Sequence, residues 1–183
     1  MVPEGRLILA RRFKAGSASA KLSRPVGTPE IAEGTMPHTY VSDLVHCVFS
    51  TKQRKKMIPT AMQSELWSFI GGIARQNGFK ALIVGGTEDH VHILLSLPAT
   101  VPLAKAVQLL KGPSSRWMNE THAKGFSWPA GCGAFTLGVS QTPHTIDYIK
   151  RQAEHHRERS FEEEFLAFLK KHAIDYDPKY VWG

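Results

Sequence analysis

The chain has 183 residues, 42% of them hydrophobic, so it is long enough to bury the core of one domain without disulfide or metal staples. It carries 23 Lys and Arg against 16 Asp and Glu, and the resulting formal charge of +7 favours a polyanionic partner such as nucleic acid. The two cysteines form no CxxC pair, which argues against a disulfide framework or a cysteine-rich zinc site and favours the reducing cytoplasm. Charged residues interrupt every apolar stretch before it reaches the roughly 20 residues of a membrane span, so we expect no membrane association.

Residues 1–35 differ in composition from the rest of the chain. They combine basic residues such as Arg11 and Arg12 with a run of Ala, Gly and Ser and several prolines, and nothing in them recurs at helix or strand period. We expect a flexible basic extension, either an arm or a translated segment upstream of a natural start at Met36, with a mitochondrial-type targeting arm as the alternative. The folded domain is expected over residues 36–183.

The first predicted elements are a strand and a helix. Residues 40–50 are rich in β-branched and aromatic residues and predict a strand, which the basic cluster at 52–56 follows. From Pro59 onward apolar residues recur at three- and four-residue spacing until the stop signal at Asn77 and Gly78. We therefore predict a helix whose apolar stripe is core.

Residues 79–97 predict an antiparallel hairpin. The second strand is expected over 79–84, a tight turn over 85–87 and the third strand over 88–97. Alternation on a strand places His90 and His92 on one face and the aliphatic residues between and after them on the other.

Two imidazoles at positions i and i+2 of a strand can close on one divalent cation. A metal site is one interpretation of His90 and His92, and a solvated polar face that happens to hold two histidines is the other. Glu88, Asp89 or His46 could contact the two imidazoles of such a metal site as outer partners, although a surface position explains each of them equally well.

The second half of the chain predicts a helix, a strand and two more helices. A helix is expected from Pro102, with an interruption at Gly112 and Pro113 because proline lacks the N–H that a helix interior needs. A fourth strand is expected over 134–137 and a helix from about 140 to Arg159. The last helix begins near Phe161, where three glutamates suit the helix dipole.

This order of elements predicts an α+β fold. Strand, helix, hairpin, helix, strand is a ferredoxin-like split βαβ arrangement, an antiparallel four-stranded sheet with helices on one face, followed by C-terminal helices. The other sheet face, with His90 and His92, is then expected to be free.

The helix at about 140–159 adds a second pair of polar residues. Tyr148 and Gln152 stand at i and i+4, so they project from one side of that helix, and His155 or His156 continues it. A buried tyrosine at a helix interface explains the same spacing, so the pattern leaves both a structural and a functional interpretation open.

Taken together, the two motifs resemble a known family. His-apolar-His on a strand followed by Tyr-x-x-x-Gln on a late helix, in a basic chain, resembles the single-tyrosine HUH transposases of small bacterial insertion sequences. The resemblance runs from about residue 38 to the C-terminus and includes the stretches 45–52, 110–117, 133–135 and 154–157.

The resemblance implies a DNA transposase that cleaves and rejoins single-stranded DNA at element ends through a covalent phosphotyrosine. Tyr148 would be the nucleophile, and His90, His92 and Gln152 would bind a divalent metal, Mg²⁺ or Mn²⁺. The helices after the fourth strand would carry that nucleophile. A homodimer and DNA hairpins at the element ends are implied as partners.

Basic and aromatic side chains are candidates for contacts with that DNA. Trp117 and Trp128 could stack on bases, although core positions explain both. The candidate backbone contacts are Lys52, Arg54, Lys105, Lys111, Arg116, Lys150 and Arg151.

The chain departs from the family pattern at Pro113, at Cys132 and in the extension over 1–35. None of these positions belongs to the nucleophile or the metal ligands, so the chemistry is expected to survive. Two other functions stay open: a nucleic-acid-binding module without catalysis, and a domesticated metal-dependent nuclease that uses water. The first requires no metal, and the second leaves no protein–DNA adduct.

Overall fold

A computed structural model describes residues 40–122, 124–157 and 159–182. The predicted extension over 1–35 lies outside these residues. In the part described, no helix combines the length and the apolar character needed to cross a bilayer.

The described residues form four strands and five helices. The strands are β1 (Asp43–Ser50), β2 (Lys80–Gly86), β3 (His90–Leu97) and β4 (Gly133–Thr136). The helices are α1 (Thr60–Gln76), α2 (Leu103–Thr121), α3 (Thr142–Lys150), α4 (Gln152–His155) and α5 (Phe161–Lys171).

The strands form one antiparallel sheet in the order β2-β3-β1-β4. Since β3 lies between β1 and β2, the β1-α1-β2 unit is split, and the predicted α+β fold is confirmed. The predicted hairpin is confirmed too, although β3 begins at His90 and the turn therefore falls at 87–89.

The main core lies between one sheet face and helices α1 and α2. Alternate residues of β1 and β3 point into it, among them Cys47 and Ile93, and they pack with Leu66 of α1 and Leu110 of α2. The strand alternation and the helical stripe predicted from the sequence thus meet in one apolar layer.

Helix α2 corrects one expectation. It runs without interruption across Gly112 and Pro113, where the sequence predicts a break. A single proline removes one backbone hydrogen bond, but the buried side chains of Leu110 and Met118 on either side of it anchor both halves to the core.

The opposite sheet face is covered, not free. Helices α3 and α4 lie against β2, and α3 also contacts β3. A second, smaller apolar cluster joins Val48 and Phe135 of the sheet to Phe161 and Leu169 of α5. The C-terminal helices therefore enclose the face to which His90 and His92 belong.

The helix predicted to run to Arg159 ends earlier. Arg151 has φ −98° and ψ 19°, which separates α3 from the short helix α4. Both Tyr148, near the end of α3, and Gln152, the first residue of α4, still face the sheet side of this segment, as their contacts below show.

Candidate functional site

His90 and His92 of β3 form the floor of the candidate site. Both side chains are fully buried, and their ring centroids lie 5.1 Å apart. They point away from the core of α1 and α2, as strand alternation predicts, because Val91 between them joins that core.

His46 of β1 supports His92 from behind. Its Nε2 lies 3.0 Å from His92 Nδ1, and burial lowers the pKa of both imidazoles well below the ordinary value, with each ring's neighbouring histidines adding to the effect. Both rings are therefore neutral at physiological pH. A neutral His92 that donates from Nδ1 to His46 keeps a lone pair at Nε2, which is the form that binds a metal.

Asp89 and Thr87 hold His90 in the same way. Asp89 Oδ1 lies 2.6 Å from His90 Nδ1, and the Thr87 hydroxyl lies 3.0 Å from that nitrogen and donates to Asp89 Oδ1. Burial alone would raise the pKa of Asp89, but the hydrogen bonds from His90 and Thr87 bring it below the usual range. Of the three supporting candidates from the sequence, Glu88 instead pairs with Lys56 at 3.1 Å.

Gln152 and Tyr148 reach this floor from α4 and α3. Gln152 is buried, and its Oε1 lies 3.2 Å from His90 Nε2. The ring of Tyr148 lies 6.0 Å from that of His92 and 6.3 Å from that of His46, edge to face. The structure thus brings together the two motifs that the sequence separates.

Glu164 of α5 closes the site on the side opposite the sheet, and its place there was not predicted from the sequence. Tyr148 donates its hydroxyl hydrogen to Glu164 Oε1, and Gln152 Nε2 donates to the same oxygen at 3.0 Å. Glu164 Oε2 lies 3.2 Å from His156 Nε2 and 3.3 Å from His92 Nε2. Burial raises the pKa of this carboxyl to about 7.

A signal for Glu164 is present in the sequence. It stands three residues after Phe161 and four before Phe168, at one edge of the apolar stripe of its helix, as Glu162 does at the other edge, whereas Glu163 lies opposite the stripe. An acidic residue on a buried stripe needs a compensating partner. The run of three glutamates hid this pattern, because a helix start explains all three equally well.

The donor set fits a metal ion. One ligand atom each from His90, His92, His156 and Glu164 lies within 4.8 Å of the others, so this His/Glu cluster could hold a metal. His92 Nε2 is buried without a hydrogen-bond partner, since the direction to Glu164 Oε2 is not that of a hydrogen bond despite the 3.3 Å separation. An unpartnered imidazole nitrogen beside a carboxylate oxygen suits a cation between them.

A cavity of about 410 Å³ opens beside Tyr148. Its inner wall is formed by Tyr148, Glu164 and Phe168, and its rim includes Lys171 and Arg159. Positive side chains at the mouth of a cavity that ends at a hydroxyl suit a phosphate-bearing ligand.

The basic residues predicted to contact DNA fall into two groups. Lys52, Arg116 and Lys150 are exposed. Lys111 instead donates to the carbonyl oxygens of Pro129 and Gly131 at 3.0 and 2.5 Å, and so links α2 to the loop that follows it.

The other two arginines of that set, Arg54 and Arg151, have acidic partners. Arg54 Nε lies 2.7 Å from Glu162, and its guanidinium lies over the Trp182 ring at 5.0 Å. Arg151 pairs with Asp147 and with Glu154 at the surface.

The two tryptophans considered for base stacking lie in packed positions. Trp128 is buried, and its Nε1 donates to Ser114 Oγ at 3.0 Å. Trp117 stacks on Phe69 with ring centroids 4.9 Å apart. The core interpretation therefore holds for both.

Comparisons with known proteins agree with this geometry. A family model described as "Transposase IS200 like" matches residues 40–152. The transposase for insertion sequence element IS200 of Salmonella typhimurium is 26% identical over 129 residues, which span 67% of this chain and 84% of that protein. The ISDra2 transposase TnpA of Deinococcus radiodurans is 32% identical over 73 residues, 40% of this chain and 52% of that protein.

Two solved structures share the fold. A structure described as a putative transposase from Deinococcus radiodurans aligns with a TM-score of 0.51 and 25% identity over 64% of this chain and 97% of its own. A REP-associated tyrosine transposase, bound in its crystal to a REP hairpin, aligns with a TM-score of 0.50 and 14% identity over 67% of this chain and 73% of its own. The second likeness is one of fold alone.

Proposed function

The chain belongs to the IS200-like transposase family, and from this premise we propose that it cleaves and rejoins single-stranded DNA through a covalent bond to Tyr148. The observation that carries the proposal is that Tyr148 lies close to His90 and His92 in the fold. These residues are distant in sequence, yet the Tyr148 and His92 rings lie 6.0 Å apart in one largely buried site.

In the proposed step, Tyr148 Oη attacks phosphorus while the bond from phosphorus to the 3′ oxygen breaks. The tyrosine becomes joined to the 5′ phosphate, and the phenol proton passes, in net terms, to the departing 3′ oxygen. Because a phenol has a pKa of about 10, phenolate is a better leaving group than an alkoxide, so a 3′ hydroxyl can reverse the step and rejoin a strand.

We propose that His90, His92 and Gln152 hold a divalent cation, Mg²⁺ or Mn²⁺. When bound, the cation supplies positive charge that stabilises the phosphate in the transition state. The imidazoles offer their Nε2 atoms, and Asp89 and His46 keep the rings oriented through Nδ1. Gln152 adds an amide oxygen, a ligand type that both cations accept.

Single-stranded DNA with hairpin ends is the proposed substrate. The cavity beside Tyr148, with Lys171 and Arg159 on its rim, offers a path for the strand that carries the scissile phosphate. The exposed Lys52, Arg116 and Lys150 are proposed to grip the DNA backbone outside the cavity. The cytoplasm is the proposed location.

A homodimer is also part of the proposal, but the chemistry does not require an exchange of helices between subunits. One chain already places Tyr148 against Glu164 and Gln152 against His90. We therefore propose that each subunit completes its own site.

Denaturing electrophoresis tests the proposal. With Mn²⁺ and single-stranded DNA that carries an end hairpin of its own element, the wild-type protein is expected to form a complex that survives denaturation, and Tyr148→Phe to form none. Tyr176→Phe, in the exposed C-terminal segment, is the matched control and should behave as wild type. DNA cleavage without an adduct would favour the nuclease, and binding without cleavage or a metal requirement would favour the non-catalytic module.

A further inference from the structure

Glu164 is a buried carboxylate outside the two motifs that define the site. Its side chain is 8% exposed, and it lies on the face of α5 that also buries Phe161 and Leu169. A carboxylate in such a place costs several kcal/mol unless hydrogen bonds and positive charge compensate it. What surrounds its two oxygens therefore indicates its role.

The first oxygen, Oε1, organises polar side chains. It accepts hydrogen bonds from the Tyr148 hydroxyl and from Gln152 Nε2, the latter at 3.0 Å. The bond from Nε2 fixes which way the Gln152 amide points, and its Oε1 consequently faces His90 Nε2 at 3.2 Å. Glu164 thus sets the orientation of both the proposed nucleophile and a proposed metal ligand.

The second oxygen, Oε2, faces two imidazole nitrogens. His156 Nε2 lies within hydrogen-bond distance of it, at 3.2 Å. His92 Nε2 lies 3.3 Å away and has no hydrogen-bond partner. When His92 donates from Nδ1 to His46, its Nε2 and the Glu164 carboxylate oxygen are neighbouring acceptors with no proton between them.

A second pair of potential ligand atoms lies close by. His90 Nε2 lies 3.2 Å from the Gln152 amide oxygen, while His90 Nδ1 faces Asp89. These two pairs of potential ligand atoms, 3.3 and 3.2 Å apart, suit a divalent cation, for which adjacent ligand atoms are about 3 Å apart.

We propose that Glu164 is a ligand of the divalent cation through Oε2 and positions Tyr148 through Oε1, so that one carboxylate of α5 joins the metal to the nucleophile. The inference rests on the proposed function for the role of Tyr148, but the ligand role stands on the contacts of Oε2 alone. It makes α5 part of the active site, and it predicts that loss of this carboxylate weakens metal binding as well as strand cleavage.

Calorimetric titration of the metal-stripped full chain with Mn²⁺ tests the ligand role. Glu164→Gln is expected to raise the Kd for Mn²⁺ at least tenfold, because a neutral amide replaces the charged ligand. Glu162→Gln is the matched control: it makes the same change on the same helix at a side chain that is 47% exposed, and its Kd should stay within about twofold of wild type. An unchanged Kd for a folded Glu164→Gln would overturn the proposal.

A crystal structure of the wild-type protein grown with Mn²⁺ keeps the test independent of how the variant folds. Anomalous scattering should place the ion within about 2.4 Å of Glu164 Oε2. An ion bound by His90 and His92 but more than 3 Å from both Glu164 oxygens would rule the ligand role out.

The adduct assay separates this inference from the proposed function. If Tyr148→Phe abolishes the adduct while Glu164→Gln binds Mn²⁺ as wild type does, the transposase function stands and the role of Glu164 falls. If Tyr148→Phe still forms the adduct, the nucleophile assignment falls, and a tenfold weaker Mn²⁺ affinity of Glu164→Gln would still establish the ligand.

Discussion

Buried imidazoles make the stability of the site dependent on pH. Burial lowers the folded-state pKa of His46 and His92 well below the ordinary value of an imidazole, and that of His156 to about 4. These groups take up protons more readily in the unfolded chain, so their contribution to stability is complete above pH 6.5 and is lost as pH falls. Glu164, with its pKa raised to about 7, acts with the opposite sign, but one carboxyl opposes three imidazoles.

We therefore predict that Tm, measured by circular dichroism in the presence of EDTA, falls as pH is lowered from 7 to 5. His46→Asn removes one of the three titrations and should flatten the profile. His144→Asn changes an exposed histidine and is expected to leave the profile as in wild type. A wild-type Tm that stays constant over this range would contradict the lowered pKa values of these three rings.

Residue spacing in the sequence predicted part of the site. The spacing of His90 and His92 predicted a shared strand face, which the structure shows. The spacing of Tyr148 and Gln152 predicted one side of a single helix; the structure places them on α3 and α4, and both still reach the histidines. Their catalytic and ligand roles stay predictions. Glu164 was missed because its partners come from other elements, and only the packed fold shows that its carboxylate is enclosed.

At the scale of elements, the approach of α3 to the sheet depends on a glycine. Gly85 of β2 pairs with His92, and a Cβ built at Gly85 would lie 2.7 Å from the Ile149 carbonyl oxygen and 2.8 Å from Ile149 Cγ2. Such contacts are closer than folded proteins tolerate. Because Gly85 has no side chain, α3 can pack directly against β2 and bring Tyr148 close to the histidines.

Gly85→Ala is predicted to displace α3 and to reduce adduct formation at least tenfold while the sheet and its core remain folded. Gly72→Ala in α1 is the control, because nothing lies within 4 Å of a Cβ there and alanine favours a helix by about 1 kcal/mol over glycine. The control should keep full activity with an equal or higher Tm. Wild-type adduct yield from Gly85→Ala would show that α3 is not held by this contact.

The elements themselves were largely predictable, and their interruptions were not. Alternation and helical stripes located the strands and helices because the same residues bury the core. The break at Arg151 has no proline or glycine to mark it, and it coincides with the burial of Gln152 against His90 and Glu164. Conversely, Pro113 marks a break that tertiary packing prevents. In both places long-range contacts override the local signal.

At the scale of the whole molecule, the two faces of the sheet have different roles. One face, with α1 and α2, holds the larger apolar core, and the other, with α3 to α5, holds the candidate site. The sequence order of elements predicted the first layer through the split βαβ pattern. The sequence did not predict that helices cover the second face, because three short helices with polar residues do not indicate which surface they pack against.

Mixed variants test whether one chain completes its own site. His90→Ala and Tyr148→Phe, carrying different affinity tags, are co-expressed so that any dimers exchange subunits. A site built within one chain predicts no adduct above the level of either variant alone. Clear recovery of the adduct in doubly tagged material would mean that Tyr148 acts on the histidines of a partner subunit, and wild type co-expressed with Tyr148→Phe serves as the positive control.

The measurement closest to the central claim is the identity of the residue that becomes joined to DNA. The adduct of the wild-type protein is digested with trypsin and nuclease, and mass spectrometry locates the added nucleotide. We predict a 5′-phosphate-linked nucleotide on Tyr148, in a reaction that requires Mg²⁺ or Mn²⁺. A nucleotide on any other residue, or strand cleavage that leaves no nucleotide on the protein, would contradict the account.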